Sequence, residues 1–366
     1  MKRIILSVTN DLVTDQRVHR VATSLMNHGA DITLVGRLLP DSQPIKRDYA
    51  IHRMRLLFKK SSLFYAEYNI RLFFYLLFSK VDILVPNDLD TLLANYLVSV
   101  IRRKPLVYDA HEFFTEVPEL IERKSVKTFW ENIERRILPK LKHAYTVCLS
   151  ISDIYYAKYH LKMNVVRNLP TKWDEIDRNN PYPGLPTSGF VLYQGSVNQG
   201  RGLELLVDAF EYVNDIKCVI IGDGDIWKAI NQRIVSKNLQ DKVLLLGKLP
   251  FHDLKRVTPH AALGISIEEN LGLNYYYALP NKLFDYIQAQ IPVLVSDFPE
   301  MHKIVTNYEV GEILVSREPR DLAVQLESMV QKSINAHWKT NLIKASSELC
   351  WEKEEKSLLE VYHKFI

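Results

Sequence analysis

The chain has little cysteine, no long uncharged apolar run and no strong excess of either charge. Cys148, Cys218 and Cys350 are far apart, odd in number and without metal-ligand spacing, which argues against a disulfide framework and a zinc site and for a reducing compartment. The formal net charge of +4, from 47 basic and 43 acidic residues, is too balanced for a dedicated nucleic-acid binder. Met1-Lys2-Arg3 runs straight into Ile4-Ile5-Leu6-Ser7-Val8 with no extended apolar core or small-residue cleavage site, so no export signal is expected. The turn after that run, Thr9-Asn10-Asp11-Leu12, has no glycine, and Gly222-Asp223-Gly224-Asp225 lacks the third glycine of a dinucleotide fingerprint. A nicotinamide dehydrogenase is therefore not expected. The absence of a GxxxxGK[ST] motif likewise argues against a P-loop hydrolase.

What is present is alternation. Apolar strand runs at 3–8, 32–35, 83–85, 106–109 and 145–148 are each followed by an amphipathic stretch, and the pattern breaks at 171–189 into Asp, Arg, Asn, Pro and Gly. It resumes with runs at 190–194, 217–221, 243–246, 263–267, 292–295 and 312–315. Alternation of this kind implies an α/β chain with two doubly wound parallel sheets. The reading is a first Rossmann-like domain over 1–170, a linker over 171–189 and a second such domain over 190–345. Residues 346–366 form a final helix with Leu358, Leu359, Val361, Tyr362 and Phe365 toward one side, expected to return to the first domain.

One segment stands out by charge and greasiness. Arg37, Lys46, Arg47, Arg53, Arg55, Lys59 and Lys60 face only Asp41 and Asp48, which reads as a basic surface segment. The stretch Leu63 to Phe78 that follows is apolar and aromatic but interrupted by Glu67, Asn69 and Arg71, too short to span a bilayer. Two readings stay open: a core helix, which is favoured, or a helix that dips into anionic headgroups beside the basic stretch.

Ligands of open α/β sheets bind beyond the carboxyl ends of strands, and polar motifs follow several of the runs. Leu279 to Asp297 reads as a loop, a helix start and a buried strand. Pro280 presets the first turn, so the amides of Asn281, Lys282 and Leu283 project from the positive helix end, where a diphosphate would fit. Lys282 adds a full charge, and Asp285 can accept from two ribose hydroxyls. The plainer reading is a capped surface helix with Lys282 solvated. Gly195-Ser196-Val197-Asn198-Gln199-Gly200-Arg201-Gly202 lets backbone approach an anion, with Arg201 as a bidentate partner; otherwise its glycines merely serve turns. Tyr108-Asp109-Ala110-His111-Glu112 gathers polar groups past a strand end, with His111 a donor to a sugar hydroxyl. Asn87-Asp88-Leu89-Asp90 is read as helix capping rather than a metal pair, and no essential metal is expected. Asp15 suits a helix start. Arg17 reads equally as a cleft cation for an anionic ligand or as part of a solvated first turn.

Over nearly its whole length the chain resembles the retaining glycosyltransferases of family 4, which have the two-domain GT-B fold. The resemblance rests on Thr14-Asp15-Gln16-Arg17-Val18, Tyr108 to Glu112, Val166-Arg167-Asn168-Leu169-Pro170, Gly200-Arg201-Gly202, Ile221-Gly222-Asp223-Gly224 and, most specifically, Leu279 to Val295. It implies a nucleotide-sugar donor held by Gly195, Ser196, Arg201, Gly222, Asn281, Lys282, Leu283 and Asp285, and an acceptor side comprising Asn10, Asp15, Arg17, Asp109, His111 and Glu112. His111, Arg201 and Lys282 would take part in transfer. The family commonly carries two glutamates eight positions apart, and counting back eight from Asp285 reaches Tyr277. Glu268 or Glu269 upstream, with Glu269 the choice for the catalytic set, would replace the missing carboxylate.

The resemblance thus implies a metal-independent, retaining transferase without cofactor, moving a sugar from a nucleotide-diphosphate sugar to a hydroxyl of a polysaccharide or lipid-linked glycan precursor. It would be cytoplasmic, with a peripheral contact to anionic membrane and no nucleic-acid partner. Two alternatives remain: a non-hydrolysing sugar-nucleotide epimerase of the same fold, and a non-catalytic nucleotide-sugar binding protein.

Overall fold

The structure, a computed structural model, describes residues 1–13, 15–121 and 123–366, Glu119 by its backbone alone. Thr14, which opens the first motif of the resemblance, lies outside the described residues. The chain forms two compact units, Met1–Asn168 with Glu354–Ile366, and Leu169–Lys353.

In the first unit the strands are β1 (Lys2–Asp11), β2 (Ala30–Leu38), β3 (Ala50–Arg55), β4 (Ile83–Pro86), β5 (Val107–Ala110), β6 (His143–Thr146) and β7 (Asn164–Val165). They run parallel in the orders β3-β2-β1-β4 and β5-β6-β7, and the bridges Leu84 to Leu106 and Asn87 to Asp109 join the two groups side by side. β3 lies inside the segment read as a basic surface stretch. Its alternation is weak because it is an edge strand with only Met54 buried, and Arg53 and Arg55 discourage further pairing.

The helix Ser61–Phe78 covers this sheet with Phe64, Tyr68, Leu72 and Leu76, spaced four apart and therefore on one face. Tyr68, Leu72 and Leu76 pack with Ile5, Val35, Met54, Leu84 and Val98. The favoured core reading describes that face, but Leu63, Ile70, Phe74 and Phe78 are exposed on the other. Among the described residues no helix is long and apolar enough to cross a membrane. The last helix, Trp351–Tyr362, gives Leu358, Val361 and Tyr362 to the buried core, and Glu354 pairs with Arg167 at 2.6 Å within the first unit.

The second unit contains β8 (Phe190–Gln194), β9 (Cys218–Ile221), β10 (Val243–Leu246), β11 (Ala261–Ser266), β12 (Val293–Val295) and β13 (Gly311–Ile313). All are parallel, in the order β10-β9-β8-β11-β12-β13. The segment 171–189, read as a linker, packs within this unit. Trp173 is buried and its backbone N–H donates to Gln288, while Arg178 donates to the carbonyl of Pro259 at 3.1 Å. Strand order reverses between β1 and β4 in one unit and between β8 and β11 in the other. Each reversal opens a crevice at the carboxyl ends of the strands.

Candidate functional site

In the second unit, the loop leaving β8 and the helix Asn281–Gln288 meet at Glu268, two residues past β11. Its side chain is fully buried, and its Oε1 lies 2.7 Å from Lys282 Nζ and 3.8 Å from a terminal nitrogen of Arg201. Burial opposes its ionisation, but Lys282 and then Arg201 hold the carboxyl below its ordinary range. Ser266 donates to its other oxygen at 2.9 Å. Two cations thus share one carboxylate, which leaves a net positive site.

Both cations are braced by aromatic rings: Lys282 Nζ sits 4.1 Å from the Tyr193 centroid, and the Arg201 guanidinium 4.6 Å from that of Tyr275. The Nε of Arg201 is buried with no hydrogen-bond partner among the described residues. Lys282 is only 7% exposed, so it is not the solvated residue of the plainer reading. The loop can approach because Gly202 holds φ at 74° and any Cβ there would collide with the carbonyl of Ile267.

The helix start differs in detail from the sequence reading. Pro280 is the N-cap, with ψ 138°, rather than the first helical residue. Of the three amides expected to be open, Leu283 N–H donates to the Pro280 carbonyl at 3.1 Å, and its side chain lies in the core. Asn281 is exposed at the tip. Asp285, one turn on and part-exposed, receives Gln194 Nε2 at 3.3 Å. Gly195 passes beside the Lys282 stem, Ser196 offers its carbonyl to the Tyr193 hydroxyl, and Gly222 packs against the Gly195 backbone. Of the two candidate glutamates, it is Glu268 that meets the cations. Glu269, the preferred choice, is anchored through its N–H to the Gly200 carbonyl at 2.8 Å.

The first unit gathers a separate cluster past β1, β4 and β5. Asp109 is wholly buried, 2.8 Å from Arg17, whose other arm donates to the Val166 carbonyl at 3.0 Å. Burial raises the Asp109 carboxyl, but Arg17 and His111 outweigh it and hold it at about 2. Arg17, with 4% exposure, is paired with Asp109 and is not the solvated first-turn residue of one sequence reading.

His111 Nε2 lies 3.0 Å from Asp109 and Nδ1 3.4 Å from Asp88, while the His111 backbone N–H donates to Asp88 at 2.7 Å. Burial disfavours the charged ring, but Asp109 and Asp88 raise its pKa to about 9, so it is an imidazolium at neutral pH.

Asp88 precedes the helix Leu89–Arg102 but makes no side-chain cap. The capping reading fails because its carboxylate is committed to His111, on a backbone with φ 61°. Burial pushes the Asp88 carboxyl upward and that of Asp90 to about 6, with Thr9 donating to Asp90 at 2.5 Å. Asp15 does cap the first helix, accepting from Val18 N–H at 3.1 Å and from Asn10 at 3.1 Å. Glu112 follows His111, part-buried. Among the described residues no three His, Cys, Asp or Glu side chains are placed to hold a metal ion.

Two doubly wound parallel units define the GT-B fold. Residues 177–345 match the family model of the glycosyl transferases group 1. A curated relative, the O-antigen chain mannosyltransferase RfbU of Salmonella typhimurium, is 24% identical over 188 residues. That match spans 50% of this chain and 49% of RfbU, so the chain spans about half the length of its curated relative. Among solved structures, a sucrose-phosphate synthase from Thermosynechococcus elongatus superposes with TM-score 0.78 at 15% identity, covering 100% of this chain and 99% of that one. Anabaena HepE in complex with UDP-glucose gives 0.71 at 13% identity, covering 100% of both chains.

Proposed function

We propose that the chain is a retaining glycosyltransferase of family 4 that moves a sugar from a nucleotide-diphosphate sugar to a hydroxyl of a polysaccharide or lipid-linked glycan precursor. The observation that carries this reading is the net positive pair Arg201 and Lys282, held by Glu268 at the start of the helix Asn281–Gln288. A diphosphate would take the place that Glu268 alone fills for the two cations, with the Asn281 and Lys282 amides adding partial charge. Asp285 suits the ribose diol. RfbU, a mannosyltransferase by name, and the UDP-glucose complex of HepE support a nucleotide-sugar donor and a cell-surface glycan product.

The transfer follows from that charge. The bond from the anomeric carbon to the diphosphate breaks with its electron pair going to the leaving oxygen, stabilised by Arg201, Lys282 and the helix amides. The acceptor hydroxyl forms the new bond from the same face and gives its proton to the departing phosphate. No metal or cofactor is required. His111, a donor in its charged state, suits a hydroxyl of the transferred sugar. We place the enzyme at the cytoplasmic face of a membrane, on the exposed Leu63, Ile70, Phe74 and Phe78 beside Lys59 and Lys60. Lys59→Glu with Lys60→Glu should lower binding to anionic vesicles, and unchanged flotation would remove that placement.

The test is a thermal-shift panel of UDP, GDP, ADP and CMP with their sugar conjugates, because a ligand that binds only the native state raises the midpoint. One diphosphate should shift the wild type and not Lys282→Ala. A panel without any shift would end the transferase reading.

A further inference from the structure

The strand ends β2 and β3 and the start of the helix Ser61–Phe78 enclose a cavity of about 490 Å³ in the first unit, lined by none of the residues of the His111 cluster. Its lining is of two kinds. Arg37, Arg55 and Lys59 supply three cations, and Leu56, Phe58 and Phe64 supply apolar wall. Among the described residues none of these cations has a carboxylate partner, and Arg37 Nε is buried without any hydrogen-bond partner, its guanidinium 5.0 Å above the Phe64 ring.

The acids close by are already committed. Asp11 receives Ser42 at 2.5 Å and pairs with Arg53, while Glu67 accepts the N–H groups of Leu57 and Phe58 and pairs with Arg71 at 2.8 Å. Part-buried Arg37 and the exposed Arg55 and Lys59 at the rim, three cations around one concave site, suit a phosphate. Its apolar wall, Leu38, Leu39, Leu56 and Phe64, opens outward at Phe58, 44% exposed, which suits hydrocarbon attached to that phosphate.

We propose that this cavity binds the phosphate head of a lipid, a phosphate ester on a long hydrocarbon chain, and so anchors the lipid that carries or surrounds the acceptor. The assignment rests on the transferase reading for its purpose, but not for its chemistry. A nucleotide would leave the apolar wall unused, and a bare acyl chain would leave three cations unpaired.

The test uses the full chain and octyl phosphate below its micelle concentration, with inorganic phosphate and octanol as controls, read by calorimetry. Octyl phosphate should bind at least about tenfold more tightly than either control, since both halves of the site are used only together. Arg55→Glu and, separately, Phe58→Ala should each weaken it by about tenfold or more while leaving the unfolding midpoint and the nucleotide-induced shift in place. Displacement of octyl phosphate by phosphatidylglycerol vesicles would assign the site to bilayer headgroups; octyl phosphate retained in their presence would assign it to the carrier lipid. Octyl phosphate no tighter than inorganic phosphate, or unaffected by both substitutions, overturns the proposal even where the nucleotide shift stands. A lost nucleotide shift with octyl phosphate still bound overturns the transferase reading alone.

Discussion

Asp109 holds two cations at once, Arg17 at 2.8 Å and His111 at 3.0 Å, and is itself wholly buried. Asp109→Ala strands both charges, and removing one partner of a buried pair costs about 3 to 5 kcal/mol; urea denaturation of the first unit should show a loss of that order. His111 supplies the pH dependence. Its pKa is raised in the folded state to about 9, so the stability it contributes is complete below the unfolded value, about 6.5, and is lost as pH rises through 9. Unfolding free energy measured from pH 6 to 10 should therefore fall across that window in the wild type and fall less in His111→Gln. An equal slope in both would show that the ring is not held as an imidazolium.

β11 and the helix Asn281–Gln288 are set against each other by Gly264 and Tyr286. A Cβ at Gly264 would enter the Tyr286 ring, whose hydroxyl also receives the Gln194 N–H at 3.0 Å and so ties β8 to the same helix. Gly264→Ala should cost about 1 to 3 kcal/mol by overpacking. Because the displaced helix carries both Lys282 and Asp285, nucleotide affinity should drop with stability, and differential scanning fluorimetry with and without nucleotide reads both. A variant that loses stability but binds nucleotide normally would separate this packing from the site.

At the scale of the whole molecule, the last thirteen residues, 354–366, belong to the first unit. They bring Leu358, Val361 and Tyr362 to its core, at about 1.5 to 3 kcal/mol for each large apolar side chain removed from water, and place Glu354 on Arg167. Truncation after residue 353 should make the first unit susceptible to limited proteolysis while the second unit, Leu169–Lys353, keeps its protection. Equal loss of protection in both units would show that they unfold together.

The amino-acid order by itself determined the architecture. Buried parallel strands must be continuously apolar, so β8 was legible to the residue; β10, an edge strand with only Val243 buried, was legible because its run is wholly apolar, and the helix start was legible to within a residue of Pro280, as were the glycines before Leu203, because backbone conformation restricts residue choice locally. Weakly patterned β3 was not legible, since an edge strand half exposed and carrying arginine has no alternation to show. Pairings over long separations were not legible either. Nothing local in Arg17 announces Asp109, and nothing in Glu268 announces that it, rather than Glu269, will face Lys282; a rotation of one residue past the end of β11 decides it. Asp88 likewise read as a cap from its position, and only the neighbouring strand end, carrying His111, took its carboxylate away. Charge recognises charge through space, and only the tertiary structure set which charges stand within reach.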